Sequence, residues 1–471
     1  MYSLGLLAAS SFLLALVLTP LARELARRFG WVDEPDRRRR LHAQPVPRLG
    51  GAPIFASYLA ALALLLVSPL AGAEIVRGGL PLAGRILPAA ALVFAIGLVD
   101  DLRGVRPWQK FAVQLAAAAV AFGAGVQITS LAGWMVPAWL SLPVTLLWLA
   151  GCSNAFNLID GVDGLAAGAG LFATVTILVG ALLQGNVPLA LATVPLAGAL
   201  LGFLRYNFNP ASIFLGDSGS LTVGFLLGCY GVLWGQKSAT VLGMTAPLMA
   251  LAVPLVDTAV AIGRRFLRGQ PIYVADRGHI HHRLLDRGLT PRRVALLLYA
   301  ACGLAAGLSL VASVSEGEFK GLIIVLFCAM AWMGVQHLGY VEFGVAGRMF
   351  LEGAFRRHLK SQLALEAFAR ELAAAETPGE CWRAVCEAAS QFGFAEVEMR
   401  LHGDQFRAAL EETNGNPTWR VEIPLEEGGW LTLRRCFDAP GAPTVLVPFA
   451  DTLRRGIERF QRRHEPAVRA G

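Results

Sequence analysis

The chain has 471 residues, of which 55% are hydrophobic and only 16% charged, with a mean hydropathy of +0.54 and a formal charge of +7. Soluble domains carry roughly 25% charge, so a single aqueous globule is excluded, as are a disordered chain, collagen and a disulfide scaffold. The excess is uneven: residues 1–340 hold 24 Lys+Arg against 15 Asp+Glu, whereas residues 341–471 hold 17 against 19 and have an ordinary soluble composition.

A bilayer core about 30 Å thick takes ~20 apolar residues of helix. Eleven such runs follow in chain order, at 3–22, 49–70, 84–100, 108–125, 134–154, 165–184, 187–205, 213–233, 241–262, 293–314 and 320–340. The first basic residue, Arg23, comes after the first run. That is the reverse of a cleaved signal peptide and suits an anchor with its N-terminus outside. Loops 23–48, 101–107, 155–164, 206–212 and 263–292 then face inward. With Lys110, Arg205 and Arg293 at span ends, they carry 20 Lys+Arg. The outer side carries four: Arg77, Arg85, Lys237 and Lys320. This bias fixes the orientation, and an odd span count leaves the tail in the cytoplasm. The expected fold is an all-α polytopic membrane protein with a C-terminal cytoplasmic α+β domain. The seven cysteines form no C-x-x-C pair and read as buried or reduced thiols.

On this map every acidic, amide and histidine cluster reaches the same membrane face. Asp100 and Asp101 end span three. The run from Asn154 to Gly164, with Asn157, Asp160 and Asp163, follows span five. Asp217 starts span eight within Phe214-Leu-Gly-Asp-Ser-Gly-Ser220. His279, His281 and His282 lie in the long loop after span nine. Carboxylates at the edge of an apolar helix are costly and usually functional. Five carboxylates and two asparagines are hard oxygen ligands that select Mg²⁺ or Mn²⁺ over zinc. The histidines are too closely spaced for a helical zinc pair and, beside several arginines, read as an anion-binding loop. Metal plus cations on one face suits phosphate chemistry between a soluble nucleotide and a lipid phosphate. Read as structure instead, the Asp100 pair caps a helix, Arg37 to Arg40 form a topogenic patch, and Gly164 and Gly168 mark close helix packing. Asp257, inside span nine, reads either as a structural residue paired with a neighbouring helix or as support for the site.

Four stretches, in order, resemble the polyprenyl-phosphate N-acetylhexosamine-1-phosphate transferases. They are Asp33 to His42 with Pro45 to Gly51; Asp100-Asp-Leu-Arg-Gly104 with Lys110; Asn154 to Gly164; and Asn209 to Ser220 with His279-Ile-His-His-Arg-Leu-Leu-Asp-Arg-Gly-Leu289. The last stretch looks like the O-antigen and teichoic-acid branch; the lipid I synthase, phospho-N-acetylmuramoyl-pentapeptide transferase, is more distant. Where that branch usually has a lysine near position 38, this chain has Arg37 to Arg40. The resemblance implies that a UDP-N-acetylhexosamine gives its sugar 1-phosphate to undecaprenyl phosphate, releasing UMP and starting a cell-surface polysaccharide. The place would be the cytoplasmic face of a bacterial inner membrane. It implies Mg²⁺ (or Mn²⁺) on Asp217 and Asn157, Lys110 and the loop His279, His281, His282 and Arg283 on the phosphates and sugar, and Asp163 on the uracil. Asn154, Asp160, Arg48 and His42 complete the expected substrate-binding set. Asp100 and Asp101 match the family's aspartate pair, with Asp100 either a base or metal support. No nucleic acid is expected among the partners.

Residues 341–376 read as a juxtamembrane amphipathic helix. Beyond it, residues 377–471 read as a helix near 379–391, strands at 395–401, 420–424 and 430–436, and a helix near 449–463. Their order and size loosely resemble a small GAF-like domain, a surface for a regulator, a partner glycosyltransferase or a second copy of the chain. Two other classes compete. A transporter would place its polar residues near the midplane in broken helices. A receptor would leave five convergent carboxylates without a purpose.

Overall fold

The computed structural model describes residues 2–33, 45–78, 80–131, 134–236, 244–268, 270, 278–315, 318–340, 342–343, 354–401, 403–411, 416–425, 428–437 and 446–464. The chain divides into two compact units, Met1–Glu342 and Phe343–Gly471.

The first unit is a helical bundle. Its helices are α1 (Tyr2–Arg28), α2 (Gly51–Val67), α3 (Ala71–Gly78), α4 (Leu80–Arg103), α5 (Pro107–Gly123), α6 (Ala138–Ile159), α7 (Leu165–Leu183) and α8 (Val187–Asn207). They continue with α9 (Gly216–Gln236), α10 (Thr245–Ala250), α11 (Ala252–Leu267), α12 (Ile280–Asp286), α13 (Pro291–Val314) and α14 (Glu318–His337). Two antiparallel pairs of two-residue strands, β1 (Val32–Asp33) with β2 (Val46–Pro47) and β3 (Ser130–Leu131) with β4 (Trp134–Met135), lie between helices. Seven helices among the described residues are long and apolar enough to cross a membrane: α1, α6, α7, α8, α9, α13 and α14. The count becomes eight if α2 and α3, bent by 111° at their junction, form one span. The remaining segments of the eleven-span expectation fall in α4, in the 17-residue α5, and in α10–α11, where the helix breaks at Leu251.

Helix α9 is the axis of the bundle and is buried along nearly all its length. In a bilayer, helices gain by close van der Waals approach, which small residues permit. A Cβ on Gly224 would sit 2.5 Å from the Cys152 carbonyl of α6, and one on Gly97 of α4 would meet the Asp217 backbone at 2.7 Å. Where water is excluded, polar groups must find partners within the protein, and several buried ones in the bundle do. The Tyr58 and Tyr230 hydroxyls share a 2.6 Å hydrogen bond, and Ser153 Oγ donates to the Leu221 carbonyl at 2.8 Å. By contrast α14 exposes Leu322, Val325, Trp332 and Met333, the pattern of a lipid-facing helix.

The second unit packs α15 (Ala354–Ala374), α16 (Pro378–Gln391) and α17 (Leu446–His464) on an antiparallel four-stranded sheet. The strands are β5 (Glu396–Leu401), β6 (Asp404–Ala409), β7 (Thr418–Pro424) and β8 (Trp430–Cys436), in the order β6-β5-β8-β7. Val397, Met399, Leu431 and Leu433 alternate onto the face that meets Phe368, Val385, Phe449 and Leu453. Thr377 caps α16 by accepting from Glu380 N, while the Glu380 carboxylate accepts from Glu376 N, one residue before the cap.

Candidate active site

Helix α4 ends in Asp100 and Asp101, then at Gly104, whose φ of +71° closes the helix as its N–H returns to the Asp100 carbonyl. Val105 N donates to Asp100 Oδ1. Pro107 then opens α5, where its missing N–H costs nothing. This turn brings Lys110 back over the end of α4. Its Nζ donates to Asp100 Oδ2 at 2.7 Å and to Asp217 Oδ2 at 2.7 Å, joining the C-terminal end of α4 to the first turn of α9. The other oxygen of Asp217 accepts from Asn157 Nδ2 at 2.9 Å, and that amide also donates to Ser220 Oγ at 3.0 Å.

Asp101 is turned elsewhere. Its Oδ1 accepts from Asp217 N at 2.7 Å, and its Oδ2 from Ser218 N at 3.0 Å and Ser218 Oγ at 2.6 Å. It therefore caps α9 from a neighbouring helix, satisfying N–H groups that a helix start leaves without partners. Gly216, just before, has φ +73°, and a Cβ there would lie 2.7 Å from Asp101 Oδ2 and 2.5 Å from the Arg48 carbonyl. The Arg48 guanidinium pairs with the buried Asp33. Backbone bonds from Phe214 N to Pro47 O (2.8 Å) and Gly50 N to Phe214 O (3.0 Å) tie this first stretch to the Asp217 loop.

The remaining expected residues form a second tier. Asn154 donates to Gln114 Oε1 and to the Ala150 carbonyl. Asp163 Oδ2 accepts from Asn209 Nδ2 at 2.9 Å and Ala211 N at 3.0 Å, bracing the turn before α9. The Asp160 carboxyl is pushed well above its usual range, chiefly by desolvation and then by Asp217 and Asp101, with Arg48 opposing. Tyr299 lies against Gly168 and donates to the Gly164 carbonyl at 2.6 Å, so both glycines serve helix packing.

Histidines 279, 281 and 282 sit at the start of α12. Asp257 of α11 pairs with His279 Nδ1 at 2.9 Å and accepts from Ile280 N at 2.7 Å. The His281 ring lies on Gly161, where a Cβ would stand 2.5 Å from Nε2, and this contact joins the histidine helix to the Asn154–Gly164 stretch. Burial, then His282 and His279, hold the His281 imidazole down at about 3, so it is neutral at working pH. Arg283 Nη1 donates to the Leu338 and Gly339 carbonyls. His42 and Arg37 to Arg40 lie outside the described residues.

Sequence reasoning passed over Gln114, Ser218 and Tyr340. Ser218 stood inside a quoted motif; the other two carried no signal until packing placed them. Among the described residues no group of three or more His, Cys, Asp or Glu has metal-holding geometry. What the site offers is an Asp217 carboxylate beside Asn157, with a cation already held between two carboxylates in the form of the Lys110 ammonium. Mg²⁺ commonly takes one or two carboxylates and completes its shell with substrate phosphates and water, so this donor set fits it.

A family model described as glycosyl transferase family 4 matches residues 85–235, the stretch that runs from α4 through Asp217 to the end of α9. A probable undecaprenyl-phosphate N-acetylglucosaminyl 1-phosphate transferase of Bacillus subtilis is 36% identical over 300 residues, covering 61% of this chain and 79% of that protein. The chain belongs to the polyprenyl-phosphate N-acetylhexosamine-1-phosphate transferase family. Two further relatives of this family are a decaprenyl-phosphate N-acetylglucosaminephosphotransferase of Mycolicibacterium smegmatis and the undecaprenyl-phosphate alpha-N-acetylglucosaminyl 1-phosphate transferase of Escherichia coli K12. The former is 36% identical over 332 residues, covering 64% of this chain and 80% of that protein. The latter is 28% identical over 334 residues, covering 68% and 86%. Of the family motifs, the matched stretch contains Asp100, Lys110, Asn157 and Asp217, the residues that meet in one hydrogen-bonded cluster.

Proposed function

We propose that this transferase moves N-acetylhexosamine 1-phosphate from a UDP-sugar to undecaprenyl phosphate at the cytoplasmic face of a bacterial inner membrane. UMP is released, and the product starts a cell-surface polysaccharide. The relatives' names favour N-acetylglucosamine as the sugar. The observation that carries the reading is the Lys110 ammonium shared by Asp100 and Asp217, with Asn157 on the far oxygen. Four helix ends meet there, a place where a diphosphate arriving from water can reach a phosphate on a lipid.

In the reaction a lipid phosphate oxygen attacks the β-phosphorus, a new P–O bond forms, and the bond from the β-phosphorus to the bridging oxygen breaks with its electrons passing to UMP. The attacking monoester has a second pKa near 6 and is mostly dianionic at pH 7, so a strong base adds little. Catalysis then rests on positioning and charge neutralisation. Asp217 and Asn157 would hold Mg²⁺, which when bound neutralises charge on the diphosphate. Lys110 orients phosphate oxygens, and the histidine helix holds the pyrophosphate and sugar. Both Asp100 oxygens are engaged, by Val105 N and Lys110, which favours a positioning role for Asp100 and direct attack over an aspartyl-phosphate intermediate. The same reading takes eleven crossings with the N-terminus outside, and a cytoplasmic GAF-like C-terminal unit.

The test is UMP release from a panel of UDP-N-acetylhexosamines by the purified protein with undecaprenyl phosphate, with and without EDTA. Release with one sugar, abolished by EDTA and restored by Mg²⁺, is expected. No release with any of them would sink the reading, and retention of configuration at phosphorus would replace direct attack with double displacement.

A further inference from the structure

The chain leaves the membrane unit through the residues that follow α14, and these residues grip the histidine helix. Helix α14 ends at His337, and Gly339, at φ +67°, turns the chain. A helix end leaves its last carbonyls without intrahelical donors, and here arginines from α12 supply them. Arg287 Nη2 donates to His337 O at 2.7 Å, and Arg283 Nη1 donates to Leu338 O at 3.0 Å and Gly339 O at 2.9 Å. Cations at a helix C-terminus are also favoured by its dipole. Tyr340 completes the contact from below. It is 5% exposed, its ring centroid lies 3.9 Å from the Arg283 guanidinium carbon, and its hydroxyl donates to the Gly278 carbonyl at 3.0 Å, directly before His279.

These contacts hold both ends of a two-turn helix that is too short to be stable alone. One end is fixed by Tyr340 on Gly278 and by Asp257 on His279 and Ile280, the other by Arg287 on His337.

We propose that His337–Tyr340 is a clamp that sets the position of the histidine helix, with Tyr340 as a positioning residue for the transfer reaction. This rests on the transferase reading for its kinetic arm only. Tyr340→Ala removes both the ring beneath Arg283 and the bond to Gly278. Tyr340→Phe keeps the ring and loses the bond. Arg287→Gln loses only the bond to His337.

The full-length protein in nanodiscs is measured in two ways: steady-state kinetics with UDP-N-acetylglucosamine, and hydrogen–deuterium exchange of peptides covering 278–287. Tyr340→Ala should raise KM for the UDP-sugar about tenfold with a smaller fall in kcat. Exchange across 278–287 should rise with the rest of the bundle unchanged. Tyr340→Phe should restore most of the KM, and Arg287→Gln should raise exchange at the far end of α12 alone. Wild-type KM and wild-type exchange in Tyr340→Ala would overturn the clamp. If Tyr340→Ala does not fold, unchanged exchange in both Tyr340→Phe and Arg287→Gln overturns it equally. A wild-type protein that releases no UMP would refute the transferase reading and leave the exchange comparison to decide the clamp.

Discussion

Asp101→Asn separates a structural carboxylate from a chemical one. Asp101 receives three hydrogen bonds from the first residues of α9, and both of its oxygens are used. An amide in its place keeps one acceptor and turns an NH₂ toward a backbone N–H, most simply that of Asp217. A hydrogen bond to a charged group is worth about 1.5–3 kcal/mol and an unsatisfied partner costs about 1–3 kcal/mol, so a net loss of about 2–4 kcal/mol is expected. In a unit of this size that lowers the melting temperature by about 5 °C. Because the lost cap lies on the backbone of Asp217 itself, that carboxylate shifts, and a shift near 1 Å costs on the order of 10²-fold in rate. The assay pairs thermal unfolding in detergent with UMP release, using Ser218→Ala as a milder companion that removes only the hydroxyl bond. The two losses should scale together across the pair. A rate that collapses in Asp101→Asn while the melting temperature stays at the wild-type value would refute the capping role and return Asp101 to the chemistry.

Lys110→Met should cut turnover by at least about 10³-fold, since one cation serves two carboxylates and the phosphates; turnover within tenfold of wild type would remove Lys110 from the site. Asp217→Asn should abolish UMP release, whereas Asp100→Asn should keep measurable activity that recovers as pH rises through 6 and the lipid phosphate becomes dianionic. An Asp100→Asn protein that is dead at every pH, with Mg²⁺ binding intact, would restore a base or nucleophile role. Gly216→Ala should fail to assemble the site, because its φ of +73° and the nearby Asp101 and Arg48 oxygens leave no space for a methyl group; a functional Gly216→Ala protein would contradict the loop geometry. His281 has its pKa depressed from 6.5 to about 3 by burial first. Between those values the unfolded chain binds a proton that the native one does not, so stability falls as pH is lowered, by up to about 1.4 kcal/mol per pH unit. Melting curves of His281→Gln should lose that part of the acid slope, and an unchanged slope would refute it.

Much of the site was legible because apolar helices make polar residues conspicuous. Parity of the spans alone sent Asp100, Asn157, Asp217 and the histidines to one face, and packing brings the first three together around Lys110. Individual roles were not legible. Consecutive residues on a helix point about 100° apart, so Asp100 and Asp101 address different neighbours although they adjoin in sequence. Asp163 and Arg283 also brace a turn and a helix end, a role that was not legible because it depends on contacts 46 and 55 residues away. Asp257 does find its partners on a neighbouring helix, at the start of α12, where it meets His279 and Ile280. Averaged hydropathy cannot see the break at Leu251 or the 111° bend between α2 and α3. In the second unit β6 went unread because it is an edge strand with neither face fully buried, leaving its alternation weak.

The ammonium between Asp100 and Asp217 means that the protein supplies its own counter-ion. On the proposed function, binding the diphosphate would be an exchange, in which one internal ion pair is given up for another as Lys110 passes from carboxylate to phosphate. Affinity for the nucleotide by itself should therefore be modest and should rise with Mg²⁺. After transfer, the same exchange run backward would help UMP to leave, since Lys110 can return to two carboxylates that it meets at 2.7 Å.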